Sequence, residues 1–340
     1  MRFKFWLGIL ISVGLLAWMV WWIGPDNLPG IWEAAKKINP WYLSAAVIFN
    51  LAIYIIRALR WRYLMAPVKE RVKLSHLYSA TMVGFMANNL LPARLGEFVR
   101  AYVIGRRENI PKSSAFATIV VERVFDSLSV FVLLLVVLAL MPASISNGQN
   151  AEKIRWMRTV SLAMGAVIVV MLGLIISRQD LFIKTIGGFL RRYSSKLADR
   201  ATEFVEKFVH GLSVIKRPRL LVPIILLSAV HWGVLWIPVY IIFKGDGLNL
   251  GVWASAFTFV VIAVAVALPS TPGSIGPFQA AVALTLTTAF NIPKEQAGAL
   301  AIVMWAMGFI PVVIVGLICL SRENLTLSSL KSAESLRGVK

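Results

Sequence analysis

Long apolar runs broken by short basic connections dominate the hydrophobic pattern from one end of the chain to the other. Phe5 to Ile23 is close to the ~20 residues that a helix needs to cross a bilayer. Arg2 and Lys4 precede it, and Trp21, Trp22 and Pro25 follow. The run predicts a retained signal-anchor helix with an aromatic belt and a cytoplasmic amino end. Trp41 to about Leu59 predicts a second span, whose end the basic residues Arg57, Arg60, Arg62, Lys69, Arg71 and Lys73 place inside. Ser113 to Met141 then runs outward and Thr159 to Ile176 returns. Leu220 to Phe243 runs outward with Pro223 and Pro238 as kinks, and Ala297 to Leu320 returns inward.

Two apolar stretches resist this alternation. Ser75 to Leu91 has basic residues on both sides, with Arg94, Arg100, Arg106, Arg107 and Lys112 following it. A full crossing would put those charges outside, whereas a re-entrant hairpin turning near Asn88–Gly96 keeps both flanks in the cytoplasm. Such a turn is tolerated at depth only where protein or a wet cavity covers it. Trp253 to Leu268 and Ile275 to Phe290 flank a second turn, rich in Pro and Gly, with few charges around it. It predicts a hairpin entered from the opposite side.

The two halves therefore match with opposite orientation. The tetrapeptide Asn-Ile-Pro-Lys occurs at Asn109–Lys112 and again at Asn291–Lys294, each time opening a long apolar helix. The expected fold is an all-α polytopic membrane protein with about six transmembrane helices and two re-entrant helical hairpins in an inverted repeat, or six to eight spans by hydropathy alone. The whole chain, 1–340, is one transmembrane domain. Within it, 1–40 holds the signal-anchor helix and outer loop, 41–141 the first repeat, 142–219 a connecting span and basic helix, 220–320 the second repeat and 321–340 a cytoplasmic tail. Between Arg178 and Arg219, apolar residues such as Phe182, Ile186, Phe189 and Tyr193 recur at helical spacing, with Lys184, Arg191, Arg192 and Lys196 on other faces. That pattern predicts an amphipathic helix lying on the inner leaflet, or one packed on the cytoplasmic ends of the spans.

Composition sharpens the reading. Charged residues make up 15% of the chain, well under the roughly one quarter of a soluble domain, and 58% are hydrophobic. The net charge of +19 would suit nucleic acid, but the cations cluster in the short connections and report membrane orientation and anionic lipid instead. Cys319 is the single cysteine, so no internal disulfide forms. His76, His210 and His231 lack ligand spacing, so neither a metal nor a cofactor is expected. No phosphate-loop, dinucleotide or nucleophile-elbow pattern occurs.

Candidate chemistry gathers at the two hairpins. Arg94 and Arg100 offer planar guanidinium groups suited to a phosphate, and Glu97, three residues from each, can pair with either. The turn holding Ser270, Thr271, Gly273, Ser274 and Gly276 offers hydroxyls and backbone amides just before a helix start near Pro277, where anions are attracted. Glu122 and Asp126 share a helical face with Arg123 beside them, deep in an apolar helix. Ionisable groups at that depth usually face a cavity or each other. Two roles fit: lining a substrate passage, or a salt-bridged clamp, for example to Arg94. The pair His231-Trp232 reads as a packing pair, and Asn88-Asn89 as a cap or a bond across the hairpin.

At these residues the chain resembles a known family. GEFVRAYVIGR followed by VVERVFD, and PSTPGSIGPFQAA near the end, resemble the lysylphosphatidylglycerol synthase transmembrane-region family, whose members are also described as flippase-like integral membrane proteins. The resemblance covers nearly the whole chain. In its Pro272-Gly273-Ser274-Ile275-Gly276 turn, serine stands where the family pattern has a second glycine. Some members carry a soluble aminoacyl-transferase domain after this region. The chain ends at Lys340 without one, so synthase activity is not expected and a transporter is. The resemblance implies binding or translocation of a lipid, either a phospholipid or a polyprenyl-linked lipid. On this reading Arg94, Glu97 and Arg100 meet an anionic headgroup from the cytoplasmic side of the inner membrane, and Ser270–Gly276 forms the opposing cradle. The expected partners are membrane lipids, with a homo-oligomer or a lipid-synthesis enzyme as further candidates and no nucleic acid. Two other readings are a scaffold or accessory subunit for a lipid-modifying or glycosyl-transfer enzyme, and a membrane-embedded lipid transferase.

Overall fold

The structure, a computed structural model, describes residues 28–91, 95–140, 217–267 and 272–325, with isolated helical positions at 159, 163 and 170. All regular structure among the described residues is helical. The helices are α1 (Leu28–Lys36), α2 (Pro40–Met65), α3 (Leu74–Leu90), α4 (Gly96–Glu108) and α5 (Lys112–Ala139), followed by α6 (Pro218–Leu235) and α7 (Ile237–Gly245). Then come α8 (Val252–Ala267), a 3-10 turn at Pro272–Ser274, α9 (Pro277–Phe290) and α10 (Lys294–Arg322).

Three of these stretches are long and apolar enough to cross a membrane: Pro40–Met65, Pro218–Gly245 and Lys294–Arg322. At 26 residues, α2 is about 39 Å long, against roughly 30 Å of hydrocarbon. It also runs one and a half turns past the expected end at Leu59, and both Arg57 and Arg60 within it are buried. The kinks expected in the next span resolve differently at each proline. Pro223 lies inside α6, whereas the chain breaks at Trp236, just before Pro238. The expected first span, the returning span at Thr159–Ile176 apart from positions 159, 163 and 170, and all but the last residues of the basic helix at Arg178–Arg219 lie outside the described residues.

The chain divides into two compact units: one made of Met1–Arg57, Tyr78–Arg100 and Val230–Lys340, the other of Ala58–Leu77 and Ala101–Ala229. In the first unit α8 packs on α9, α9 on α10, and α10 on α1. Gly316 of α10 sits so close to α3 that a Cβ there would strike the Met86 side chain. In the second unit the core gathers around Trp61, whose indole N–H donates to Thr118 Oγ1 at 2.9 Å.

Both copies of Asn-Ile-Pro-Lys build the same local device. Asn109 and Asn291 each adopt the left-handed conformation with φ 53°, one of the few side chains that tolerates it. Pro111 (φ −55°, ψ 124°) and Pro293 (φ −53°, ψ 144°) then precede the first helical residue, Lys112 or Lys294. The Pro111 and Pro293 carbonyls accept from the amides of Ala115 and Ala297 at 3.1 and 2.9 Å. Left-handed Asn ends one helix and proline starts the next, because proline has no amide to lose.

Candidate functional site

In the first unit, α3 and α4 cross at two glycines. A Cβ on Gly96 would strike the Gly84 carbonyl oxygen, and one on Gly84 would strike Arg100 Cγ. Only glycine permits that approach, which places the Gly-Glu motif on a packing constraint. Asn88 Oδ1 accepts the Gly96 amide at 2.8 Å, closing the turn and satisfying one of the orphan donors at the start of α4. Asn88 is thus both a cap and a bond across the hairpin. Glu97 is half-buried in the first turn of α4, where the helix dipole favours an acid. Arg100, one turn further on, is 0% exposed. Arg94 lies outside the described residues.

The second turn is held by aromatic residues. Gly273 takes φ 67°, and a Cβ there would be 2.6 Å from Phe309 Cε2. Trp305 stacks on Phe309 at 4.6 Å and donates its indole N–H to the Gly273 carbonyl at 2.8 Å. Ser274 is left-handed (φ 53°) and Gly276 has φ 97°. The Gly276 amide, one of those assigned to an anion from the sequence, donates to Gln279 Oε1 at 2.8 Å instead. Helix α9 starts at Pro277 as expected, while Ser270 and Thr271 lie outside the described residues. The second turn reaches the C-terminal end of α3: a Cβ on Gly273 would lie 3.5 Å from the Asn89 carbonyl oxygen.

Charges in the second unit form a separate network. Arg60 Nη2 reaches Asp126 Oδ1 at 2.6 Å and Glu122 Oε1 at 3.3 Å, and Arg60 Nη1 donates to Ser228 Oγ at 3.1 Å. Arg60 and Glu122 are fully buried. Arg123 adds contacts to Asp126 Oδ2 at 3.3 Å and Glu122 Oε1 at 4.0 Å, so two cations face two carboxylates. The carboxylates of α5 therefore meet Arg60, which the sequence reading took for a topology signal. The signal that would have found it is an arginine three residues before Tyr63-Leu64-Met65, which continue the helix rather than end it.

At the end of α4, Lys69 Nζ donates to both the backbone carbonyl (2.9 Å) and Oε2 (2.6 Å) of Glu108, and His76 Nδ1 lies 2.6 Å from Glu108 Oε1. Burial works against the Glu108 charge, but the hydrogen bonds and charge of Lys69 and His76 outweigh it and hold this carboxyl below the usual range. Asp246, just past α7, goes the other way. Burial raises it, and the Gln296 hydrogen bond at 2.6 Å and Lys37 only partly compensate. No three His, Cys, Asp or Glu side chains gather as metal ligands among the described residues.

Spanning helices, non-helical turns packed inside and ionisable side chains buried against one another define an integral membrane protein of the polytopic all-helical class. The chain belongs to the lysylphosphatidylglycerol synthase TM region family, which it matches over residues 5–316. It is similar to the glycosyltransferase AglD of Haloferax volcanii, with 29% identity over 86% of this chain and 50% of that protein, so it spans half of that relative's length. It is also similar to UPF0104 membrane proteins. One from Methanothermobacter thermautotrophicus shares 28% identity over 79% of this chain and 80% of its own. Another, from Methanocaldococcus jannaschii, shares 25% identity over 92% of this chain and 93% of its own. No solved structure matches.

Proposed function

We propose that this protein binds an anionic phospholipid or polyprenyl-linked lipid and moves it across the inner membrane, without catalysing a covalent step. One observation carries the reading: the non-helical turn at Gly273 packs against the C-terminal end of α3 at Asn89, and the buried guanidinium of Arg100 lies one turn into α4, the helix that follows α3. Turns of this kind in the interior of a membrane protein supply unspent backbone dipoles near fixed charge, the usual makings of an anion site. Arg94, Glu97 and Arg100 engage the headgroup phosphate. Gly273 and Ser274, with Ser270 and Thr271 beside them in sequence, face it from the other turn. Arg100 is fully buried, so on this reading the hairpins part before a headgroup reaches it. The Arg60–Glu122–Asp126–Arg123 network serves as the brace rather than the passage, since its charges already compensate one another.

The twin Asn-Ile-Pro-Lys junctions support an inverted repeat of six spans and two re-entrant hairpins, with both termini in the cytoplasm. Cysteine accessibility on a Cys319→Ser background tests it: position 107 should react from the cytoplasmic side and position 295 from the outside. Labelling of position 107 from outside only would overturn this topology.

A second reading, an accessory membrane subunit for a glycosyl-transfer enzyme, is favoured by the similarity to half of the glycosyltransferase AglD. Purified protein in proteoliposomes separates the two. Translocation of fluorescent phosphatidylglycerol faster than in protein-free vesicles supports the transporter. A rate equal to that of empty vesicles, with co-purification of a glycosyl-transfer enzyme, supports the subunit.

A further inference from the structure

Asn50 lies ten residues into α2, about 15 Å along a span that crosses roughly 30 Å of hydrocarbon. It shares a face of that helix with Ala46 and Ile53, which are 0% and 3% exposed, yet Asn50 itself is half-buried. The opening at Asn50 is therefore a local gap on the interior side of α2. Among the described residues no hydrogen bond reaches its carboxamide. A polar group left so at mid-depth is costly, and polar side chains kept there usually have a function. Across the gap stands α10. A Cβ on Gly308 would lie 3.7 Å from Asn50 Nδ2 and would meet no other group within 4 Å, so the glycine leaves a notch beside the carboxamide. Pro311, three residues on, has no amide to give the carbonyl of Met307, the residue before Gly308. Trp305 and Phe309, on either side of Gly308 in α10, hold the second turn at Gly273. All these residues belong to the first unit. The stretch of α10 that carries the second turn thus sets a carboxamide donor and acceptor beside a carbonyl that has lost its helical donor.

We infer that Asn50 and the Gly308 notch read a hydroxyl of the lipid headgroup, so that lipids bearing a polyol, either glycerol or a sugar, are preferred to those without one. This rests on the reading above that the protein moves a lipid, and it draws on none of the buried arginines. A hydroxyl both donates and accepts. It can take the Asn50 Nδ2 hydrogen while giving its own to Asn50 Oδ1 or to the Met307 carbonyl. The phosphate of a diester lipid only accepts, and two of these three polar atoms repel it. A single neutral hydrogen bond holds weakly, which suits a group that passes the mid-depth notch rather than one that stays. Asn50 is thus a specificity-determining residue, set apart from any that meets the headgroup charge.

The test uses full-length protein in phosphatidylethanolamine vesicles with two acyl-labelled fluorescent lipids, phosphatidylglycerol and phosphatidylpropanol. Both carry one phosphodiester charge on a three-carbon headgroup, and only the first has hydroxyls. Wild type should move phosphatidylglycerol roughly fivefold faster, the worth of about one neutral hydrogen bond. Asn50→Leu should slow phosphatidylglycerol to the phosphatidylpropanol rate and leave phosphatidylpropanol within about twofold of wild type. Gly308→Ala, whose Cβ makes only ordinary contact with Asn50 Nδ2, should cut the preference by filling the notch, and it decides the question if Asn50→Leu fails to fold. Equal wild-type rates for the two lipids, both above empty vesicles, would overturn the inference and leave lipid movement standing. Neither lipid above empty vesicles would overturn both. Equal slowing of the two lipids by Asn50→Leu would make Asn50 a structural contact and end its reading role. Unlabelled phosphatidylglycerol and unlabelled polyprenyl phosphoglucose, added at equal fractions, separate glycerol from sugar. The headgroup whose competition weakens in Asn50→Leu is the one that is read, and competition unchanged for both would overturn the inference.

Discussion

Arg57 and Arg60 stand one turn apart on the same helix, are both buried, and keep different company. Arg60 has two carboxylates and a hydroxyl. Arg57 has the imidazole of His231 and the face of the Phe85 ring among its contacts. A buried cation compensated by carboxylates holds helices together and is costly to break, because removing one partner strands the other. An imidazole acceptor and a ring face fix the plane of a guanidinium. The difference teaches that burial and charge do not assign a role to an arginine in a membrane protein. What its immediate partners do to the charge assigns it.

The sharpest way to break this comparison is to remove Arg60. Arg60→Gln takes from Glu122 and Asp126 the buried one of the two cations they share, leaves two carboxylates to Arg123, and should destabilise the protein by about 3–5 kcal/mol. Adding Glu122→Gln should recover roughly 1–3 kcal/mol of that through the coupling of directly contacting residues. Melting temperatures of the two singles and the double, in one detergent, give the coupling. Strict additivity would mean that the pair is no brace. Next in size is the glycine crossing. Gly96→Ala forces its Cβ onto the Gly84 carbonyl and should cost about 1–3 kcal/mol by overpacking, with translocation reduced because Arg100 follows on the same helix.

Smaller effects sharpen the picture around the second turn and the α4 end. Trp305→Phe keeps the stack on Phe309 but loses the bond to the Gly273 carbonyl, about 1 kcal/mol. A thermostability scan should detect it. The Glu108 carboxyl is held below its usual range, so its ion pairs stabilise the fold above the normal carboxylate pKa of about 4.3 and lose that contribution as pH falls through the lower folded value. Glu108→Gln should therefore be less stable than wild type at neutral pH, with the gap closing on acidification. A gap that widens toward acid would contradict the assignment.

Much of the helical layout was legible from hydropathy and charge, because apolar length and basic flanks answer to the bilayer rather than to tertiary detail. Helices α3, α5, α8 and α9 begin and end within about two residues of their expected bounds. The doubled Asn-Ile-Pro-Lys was legible as a helix start, since proline and asparagine act on their own backbone. The partners of the buried charges were not legible. Arg60 and Glu122 are 62 residues apart, and Arg57 and His231 are 174 apart. A basic run at a helix end looks the same whether its first members point to water or to the interior. The Gly276 amide was assigned to an anion because its neighbour Gln279 gives no sign in sequence that it folds back.

The central claim, that Arg100 in α4 serves an anionic headgroup, is tested most directly by Arg100→Lys. It keeps the charge and loses the planar fork. The measurement is the rate of fluorescent phosphatidylglycerol translocation in proteoliposomes, made on protein whose melting temperature matches wild type. The account predicts a rate reduced by about an order of magnitude or more in a protein that folds normally. A wild-type rate from Arg100→Lys, or no translocation above empty vesicles from the wild type itself, would contradict it.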